Sequence, residues 1–344
     1  MTNNHPAKTI YIDPSSPAYY EDKLFDLSNF VLNRDGTLVP FARVRESYRA
    51  KGSEVKTADY LVTGDASLGV SDYYSLGVLD NYKALQKRAH VRLKTFVIFE
   101  PPVVEPRIYK ALPELTKYFE RVYVHNTVGD GYSLDGVDTS KLYQLYWPQP
   151  HKDVLIDFWS REERLCRIVM INGNHRPVSY DSELYSKRIE VLSALAAFDT
   201  VDLYGRGWEK WWSRSSMWLP YWWHRRKLMS IYKGACISKH EVLSQYSFAL
   251  CFENMAMKGY ITEKIFDCLY AGTIPLYLGA KDIADLIPED AYIDCRKFSS
   301  WKEIHEKALG MSSEEIRSMR VAGRAFLQSE QGSRYYDSLI TIFN

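Results

Sequence analysis

Phe248-Ala-Leu-Cys-Phe-Glu-Asn254, Gly259-Tyr-Ile-Thr-Glu-Lys264 and Ile265-Phe-Asp-Cys-Leu-Tyr-Ala-Gly-Thr-Ile-Pro-Leu-Tyr-Leu-Gly279 form the stretch that decides the fold class. Residues 248–252 are an apolar run of strand length, and 254–259 read as a loop containing one glycine. Thr262 suits a helix N-cap, and Ile265, Phe266, Leu269 and Tyr270 recur at helical spacing. Gly272 fits the C′ position, where a left-handed backbone ends a helix, and 274–278 read as a second buried strand. A strand–loop–helix–strand unit belongs to a parallel sheet, whose ligands sit at the carboxyl ends of the strands. Glu253, Asn254, Lys258, Tyr260, Glu263 and Lys264 crowd that end, where a phosphate would meet a helix N-terminus.

Outward from this unit the α/β pattern continues. Strands are expected at 9–12, 59–63, 95–99, 121–125, 167–171 and 200–204, and helices near 42–50, 80–89, 105–118 and 183–198. Residues 146–157, with Trp147-Pro-Gln-Pro150, have the composition of a linker. The expected division is an α/β domain over 1–155, a second over 156–328, and a segment 329–344 that packs back on the first.

The 344 residues are long for one core, and a 46% hydrophobic fraction excludes a disordered chain. A net charge of +1 argues against a general nucleic-acid binder. Five cysteines without a Cys-x-x-Cys spacing read as free thiols of a reducing compartment. No apolar leader and no 18-residue apolar run is found, so the expected location is cytoplasmic.

Metal chemistry has little support in the sequence. There is no His-x-x-x-His pair, and Asp135-Gly-Val-Asp138 reads as a solvated turn. A phosphate-binding Walker loop, a Gly-x-Gly-x-x-Gly fingerprint and a Gly-x-Ser-x-Gly elbow are all missing. What remains is a diphosphate held by cationic side chains and a helix N-terminus. Lys264 stands in the first helical turn, against the dipole, and so requires a negative partner, which a bound phosphate would supply. Arg188, on the helix after Asn174, can reach the same strand ends. Glu100 follows a buried strand directly and is fixed by Pro101 and Pro102, a position suited to a general base. Each of these also has a plain reading as a surface charge.

The stretch resembles the signature of the α1,3/4-fucosyltransferases. The matching pieces are Phe252-Glu-Asn254, Tyr260-Ile-Thr-Glu-Lys264, Ala271-Gly-Thr-Ile-Pro-Leu276 and Leu278-Gly279, preceded by Lys187-Arg-Ile189 and Val201-Asp-Leu-Tyr-Gly-Arg206. Glu100-Pro-Pro102 resembles the family's Glu-Ser-Pro-like turn, and the close likeness runs over roughly 167–300. The resemblance implies a GT-B fold, two Rossmann-like domains facing across a cleft, with acceptor on the first and GDP-fucose on the second. It implies metal-independent, inverting transfer of fucose to an oligosaccharide or glycolipid hydroxyl, without a cofactor. Glu100 would be the general base, Arg188 and Lys264 the diphosphate ligands, and Asn254, Tyr260 and Glu263 nucleotide or sugar ligands, Glu263 at the ribose.

Residues 208–227 depart from the family. They hold six of the nine tryptophans and the run His224-Arg-Arg-Lys227. Tryptophan with basic residues suits a membrane interface, a sugar-stacking wall, or an insertion packed on the core. Other functional readings are a GT-B transferase of another nucleotide sugar, a nucleotide-sugar epimerase, and a silent glycan-binding protein.

Overall fold

The structure, a computed structural model, describes residues 9–64, 69–210 and 218–344. The chain divides into two compact units, Met1–Pro150 with Arg334–Asn344, and His151–Ser333.

The first unit is built on a six-stranded sheet of β1 (Thr9–Asp13), β2 (Glu54–Thr57), β3 (Ser71–Ser75), β4 (Val91–Val97), β5 (Arg121–Val124) and β6 (Leu142–Gln144), ordered β2-β1-β3-β4-β5-β6. Every pairing in it is parallel. Successive strand residues face opposite sides, so Tyr73 and Phe96 join one apolar cluster while Tyr74 and Val97 join another. The second cluster is completed from the end of the chain. The Ser338–Phe343 helix brings in Leu339, Ile342 and Phe343, whose ring stacks on Tyr74 at 4.5 Å. Arg43 holds that segment, donating to the Tyr336 carbonyl at 2.8 Å and to Asp337 at 3.0 Å.

The second unit carries β7 (Leu165–Ile171), β8 (Val201–Tyr204), β9 (Tyr232–Gly234), β10 (Tyr246–Phe252), β11 (Ile274–Leu278) and β12 (Ile293–Asp294). Read as β9-β8-β7-β10-β11-β12, its order is that of a Rossmann sheet, all parallel. The order reverses between β7 and β10, which places the ligand crevice at Asn172 and Glu253 just beyond their ends. The Glu263–Ala271 helix covers β10 and β11 and buries Ile265, Phe266, Leu269 and Tyr270 almost completely. Each such side chain contributes roughly 1.5–3 kcal/mol of hydrophobic stabilisation. On its outer side Phe266 meets Phe326 of the Ser313–Gln328 helix, ring centroids 6.0 Å apart. Gly272 ends the helix with φ +73°, and a Cβ there would stand 2.9 Å from Trp159.

Three sequence expectations are corrected. Residues 59–63 form a helix, Asp59–Thr63, because the preceding β2 has already used the extended chain and Ala58 accepts from Leu61 and Val62. The helix expected over 80–89 shrinks to Tyr82–Leu85. That over 105–118 divides into Pro106–Lys110 and Leu112–Tyr118, with Pro113 opening the second. β3 was not anticipated: Ser-Asp-Tyr-Tyr-Ser lacks the apolar run of a central parallel strand. It is nonetheless fully buried, because Arg92 bonds Asp72 at 2.7 Å and Ser75 accepts from Val78 at 2.9 Å.

His125, just past β5, is fully buried beside Trp147 with Nε2 2.7 Å from the Phe99 carbonyl. Burial pushes its imidazole down to about 4, despite the favourable carbonyl. Below the unfolded value of ~6.5 the unfolded chain binds a proton that the folded one refuses, so acid destabilises the first unit until about pH 4. Over that window the loss reaches on the order of 3 kcal/mol. Urea titrations between pH 7 and 4 should show this slope, and His125→Gln should flatten it.

Candidate functional site at the switch point of the second sheet

Glu253 directly follows β10, and its side chain is fully buried. Its carboxylate accepts from the Thr262 backbone N–H at 2.8 Å, the Thr262 hydroxyl at 2.7 Å and Lys264 Nζ at 3.0 Å. Thr262 is the N-cap by position, but its hydroxyl is given to Glu253 and caps no backbone N–H. Gly279 makes room for this arrangement, since a Cβ there would stand 2.5 Å from Glu253 Cγ. The partner that Lys264 needs is thus supplied by a protein carboxylate, where the sequence suggested a bound phosphate. Burial alone would lower the Lys264 ammonium, but Glu253 and then Glu263 (3.7 Å) override it and hold it above the usual lysine value.

Arg188 arrives from the Tyr185–Leu195 helix and is 3% exposed. Its Nη2 donates to the Phe252 carbonyl at 2.7 Å and to Asn254 Oδ1 at 2.9 Å, while Nε has no acceptor among the described residues. The guanidinium lies 4.8 Å from the Tyr185 ring centroid. Main-chain bonds set this approach: Leu184 donates to Asn254 O at 3.0 Å and Ala256 to Ser182 O at 2.9 Å. Tyr260 is buried in the same loop, and Gly259 donates to Asp282 at 2.8 Å. Arg188, Asn254, Tyr260, Glu263 and Lys264, spread over 77 positions, thus meet around one strand end.

Two residues that sequence reasoning passed over join them. Lys239, Asn172, Glu263, Lys264 and Asp267 line one cavity of about 60 Å³ at the carboxyl ends of β7 and β10. Asp267 is bonded by Lys239 Nζ and, at 2.9 Å, by His240 Nε2. The available signal was Asp267 one helical turn after Glu263, since two carboxylates on one helix face need a cation. Glu253 was noticed as part of the polar set but was given no role.

Glu100 lies in the first unit. It lines a cavity of about 520 Å³ with Ser15, Leu76, Gly77, Asp80 and Phe99, and Tyr109 donates to its main-chain carbonyl at 3.1 Å. This cavity sits beyond β1, β3 and β4, where that sheet reverses its order between β1 and β3. Nearby, Asp13 is fully buried at the end of β1 and accepts from Tyr73 and, at 2.8 Å, from Asn81.

Packing explains two tryptophans of the tryptophan-rich segment. Trp208 is buried and donates to the Asn172 carbonyl at 2.7 Å, and Trp218 is buried ahead of the Leu219–Ile231 helix. On that helix, however, Leu219 and Trp223 are 75% and 81% exposed. Trp211 and Trp212 lie outside the described residues. No helix among the described residues is long and apolar enough to cross a membrane.

Paired parallel sheets of this topology are the GT-B glycosyltransferase fold, and comparison with known proteins agrees. The crystal structure of an α1,3-fucosyltransferase superposes with a TM-score of 0.51 at 14% identity, over 93% of this chain and 82% of that one. Anabaena HepE, solved with UDP and glucose, gives 0.52 at 10% identity, over 98% and 97%. Residues 176–320 match the model of glycosyltransferase family 10 (fucosyltransferase), C-terminal part. An α-(1,4)-fucosyltransferase of Arabidopsis thaliana is 41% identical over 73 residues, 21% of this chain and 18% of the relative. The α-(1,3)-fucosyltransferase FucT of Helicobacter pylori is 41% identical over 66 residues, 19% and 14% of the two chains. The matched stretches therefore span less than a fifth of either relative's length.

Removing one partner of a buried ion pair typically costs about 3–5 kcal/mol. Glu253→Gln should therefore lower the stability of the second unit by that amount in urea unfolding. Gly279→Ala, which pushes on the same carboxylate, should destabilise in the same direction.

Proposed function

We propose that the protein is a metal-independent, inverting glycosyltransferase that moves L-fucose from GDP-fucose to a hydroxyl of an oligosaccharide or glycolipid. The observation that carries this reading is the Arg188–Lys264 cation pair beside a helix N-terminus, at the switch point of a domain that matches the fucosyltransferase family model. Relatives named as GDP-fucose protein O-fucosyltransferase 3, such as the mouse protein at 30% identity over 157 residues, support GDP-fucose as the donor.

In this reading the diphosphate is held by Lys264 and by the Nε–H of Arg188, which lacks an acceptor among the described residues. Charge that develops on the departing GDP is stabilised by these two cations and the helix N-terminus, groups already oriented before reaction. Glu253 keeps Lys264 charged and aimed. Glu263 accepts from the ribose, and Asn254 and Tyr260 shape the nucleotide and sugar pocket. The cavity of the first unit takes the acceptor, and Glu100 removes the proton from the attacking hydroxyl as the new bond forms opposite the leaving diphosphate.

Exposed Leu219 and Trp223 stand one turn apart on a helix that also carries Arg225, Arg226 and Lys227. This supports peripheral contact with an anionic lipid surface, where a glycolipid acceptor would be met.

A thermal-shift screen of nucleotides tests the donor: GDP and GDP-fucose should stabilise the protein, and a preference for UDP would overturn the fucosyl assignment. Glu100→Gln should cut turnover by about 10²–10⁴-fold with GDP affinity kept. Lys264→Ala should lower the rate on the order of 10²-fold and also weaken GDP in calorimetry. Co-sedimentation with phosphatidylglycerol vesicles tests the lipid contact. The wild type should pellet and the Leu219→Ser/Trp223→Ser double variant should not.

A further inference from the structure

Glu263 and Asp267 are four positions apart on the Glu263–Ala271 helix, so their carboxylates share one face. Like charges so placed repel each other and favour protonation of one of them. Both line the 60 Å³ cavity, and so does Lys239, which enters from the Lys239–Leu243 helix packed alongside. The Lys239 side chain is 26% exposed and its ammonium is already bonded to Asp267, which is 8% exposed. His240, the next residue, bonds the other oxygen of Asp267 at 2.9 Å. Asp267 is thus anchored twice from one short helix, and the anchoring fixes Lys239 at the cavity wall beside Glu263.

We propose that Lys239 is a positioning residue for the donor nucleotide: held by Asp267 at the wall of the cavity that Glu263 also lines, it flanks that carboxylate from outside the helix and directs it at the ribose hydroxyls. This rests on the reading of Glu263 as the ribose ligand. Lys264 flanks Glu263 on one side at 3.7 Å but shares its charge with Glu253 at 3.0 Å. Lys239 completes the set from outside the helix. Burial alone would raise the Glu263 carboxyl; Lys264 and then Lys239 outweigh it, against the opposing Asp267, and hold it below its ordinary value. An ionised carboxylate accepts from both hydroxyls of a ribose, whereas a protonated one loses an acceptor site and strength. Lys239 therefore acts on discrimination between ribose and deoxyribose, not on phosphate binding.

The test is the ratio of affinities for GDP and 2′-deoxy-GDP, measured by calorimetry on the full chain. Glu263→Gln should collapse the ratio, by roughly 10-fold for a lost charge-assisted hydrogen bond. If it does not, the ribose reading of Glu263 itself fails. Given that collapse, Lys239→Met should lower the ratio by several-fold, and Lys239→Arg should restore it. Asp267→Asn removes the competing charge but keeps a side-chain oxygen to accept from Lys239, so Lys239 stays at the cavity wall and the ratio should persist. A Lys239→Met protein with the wild-type ratio overturns the proposal. So does Asp267→Asn with the same loss as Lys239→Met, because that pattern marks a packing staple between two helices. Should Lys239→Met fail to fold, Lys239→Gln carries the same comparison.

Discussion

One buried carboxylate holds the second unit's functional end together. Glu253 has no exposed surface, so its charge persists only with full compensation, and three donors from a single turn, Thr262 N–H, Thr262 hydroxyl and Lys264, provide it. Those bonds tie the end of β10 to the start of the Glu263–Ala271 helix. The helix consequently begins at one defined place, and its N-terminus points at the switch point. Gly279 is required by the same constraint from the far side, because β11 must let the carboxylate pass.

Around that anchor the site is electrostatically balanced and pre-set. Lys264, Lys239 and Arg188 stand against Glu253, Glu263 and Asp267, three cations to three carboxylates. In the proposed reading a diphosphate is drawn by the helix dipole, by Lys264 and by the Arg188 Nε–H, which has no acceptor among the described residues. Neutral balance with oriented donors suits a leaving group whose charge grows during reaction, since little reorganisation is needed when it appears. The proposed roles divide along the same line: Lys264 and Arg188 would meet phosphate, whereas Lys239 would work through Glu263.

Much of the fold was legible. The apolar runs at β4, β5, β7, β8, β10 and β11 are long enough to read directly, and the Glu263–Ala271 helix shows its spacing, start and glycine stop. β3 stayed hidden, because its polar residues are paid for by partners such as Arg92, 20 positions away. Residues 59–63 look like a strand only until β2 is known to precede them. Glu253 illustrates the limit at the site: the sequence places it in the polar set at the strand end without a role, and only its burial reveals the anchor.

Sequence by itself determined the parallel α/β class, the strand–loop–helix–strand unit and the polar set gathered between its first strand and its helix, because apolar period and capping chemistry are local. Tertiary structure alone decided that Lys239 joins that unit by bonding Asp267, that Arg188 bonds Asn254, and that Lys264 pairs with Glu253. It also decided that Trp208 and Trp218 serve the core while Trp223 does not. Those outcomes depend on strand order and burial, which sum contacts between segments far apart in the chain and leave no periodic mark in any one of them.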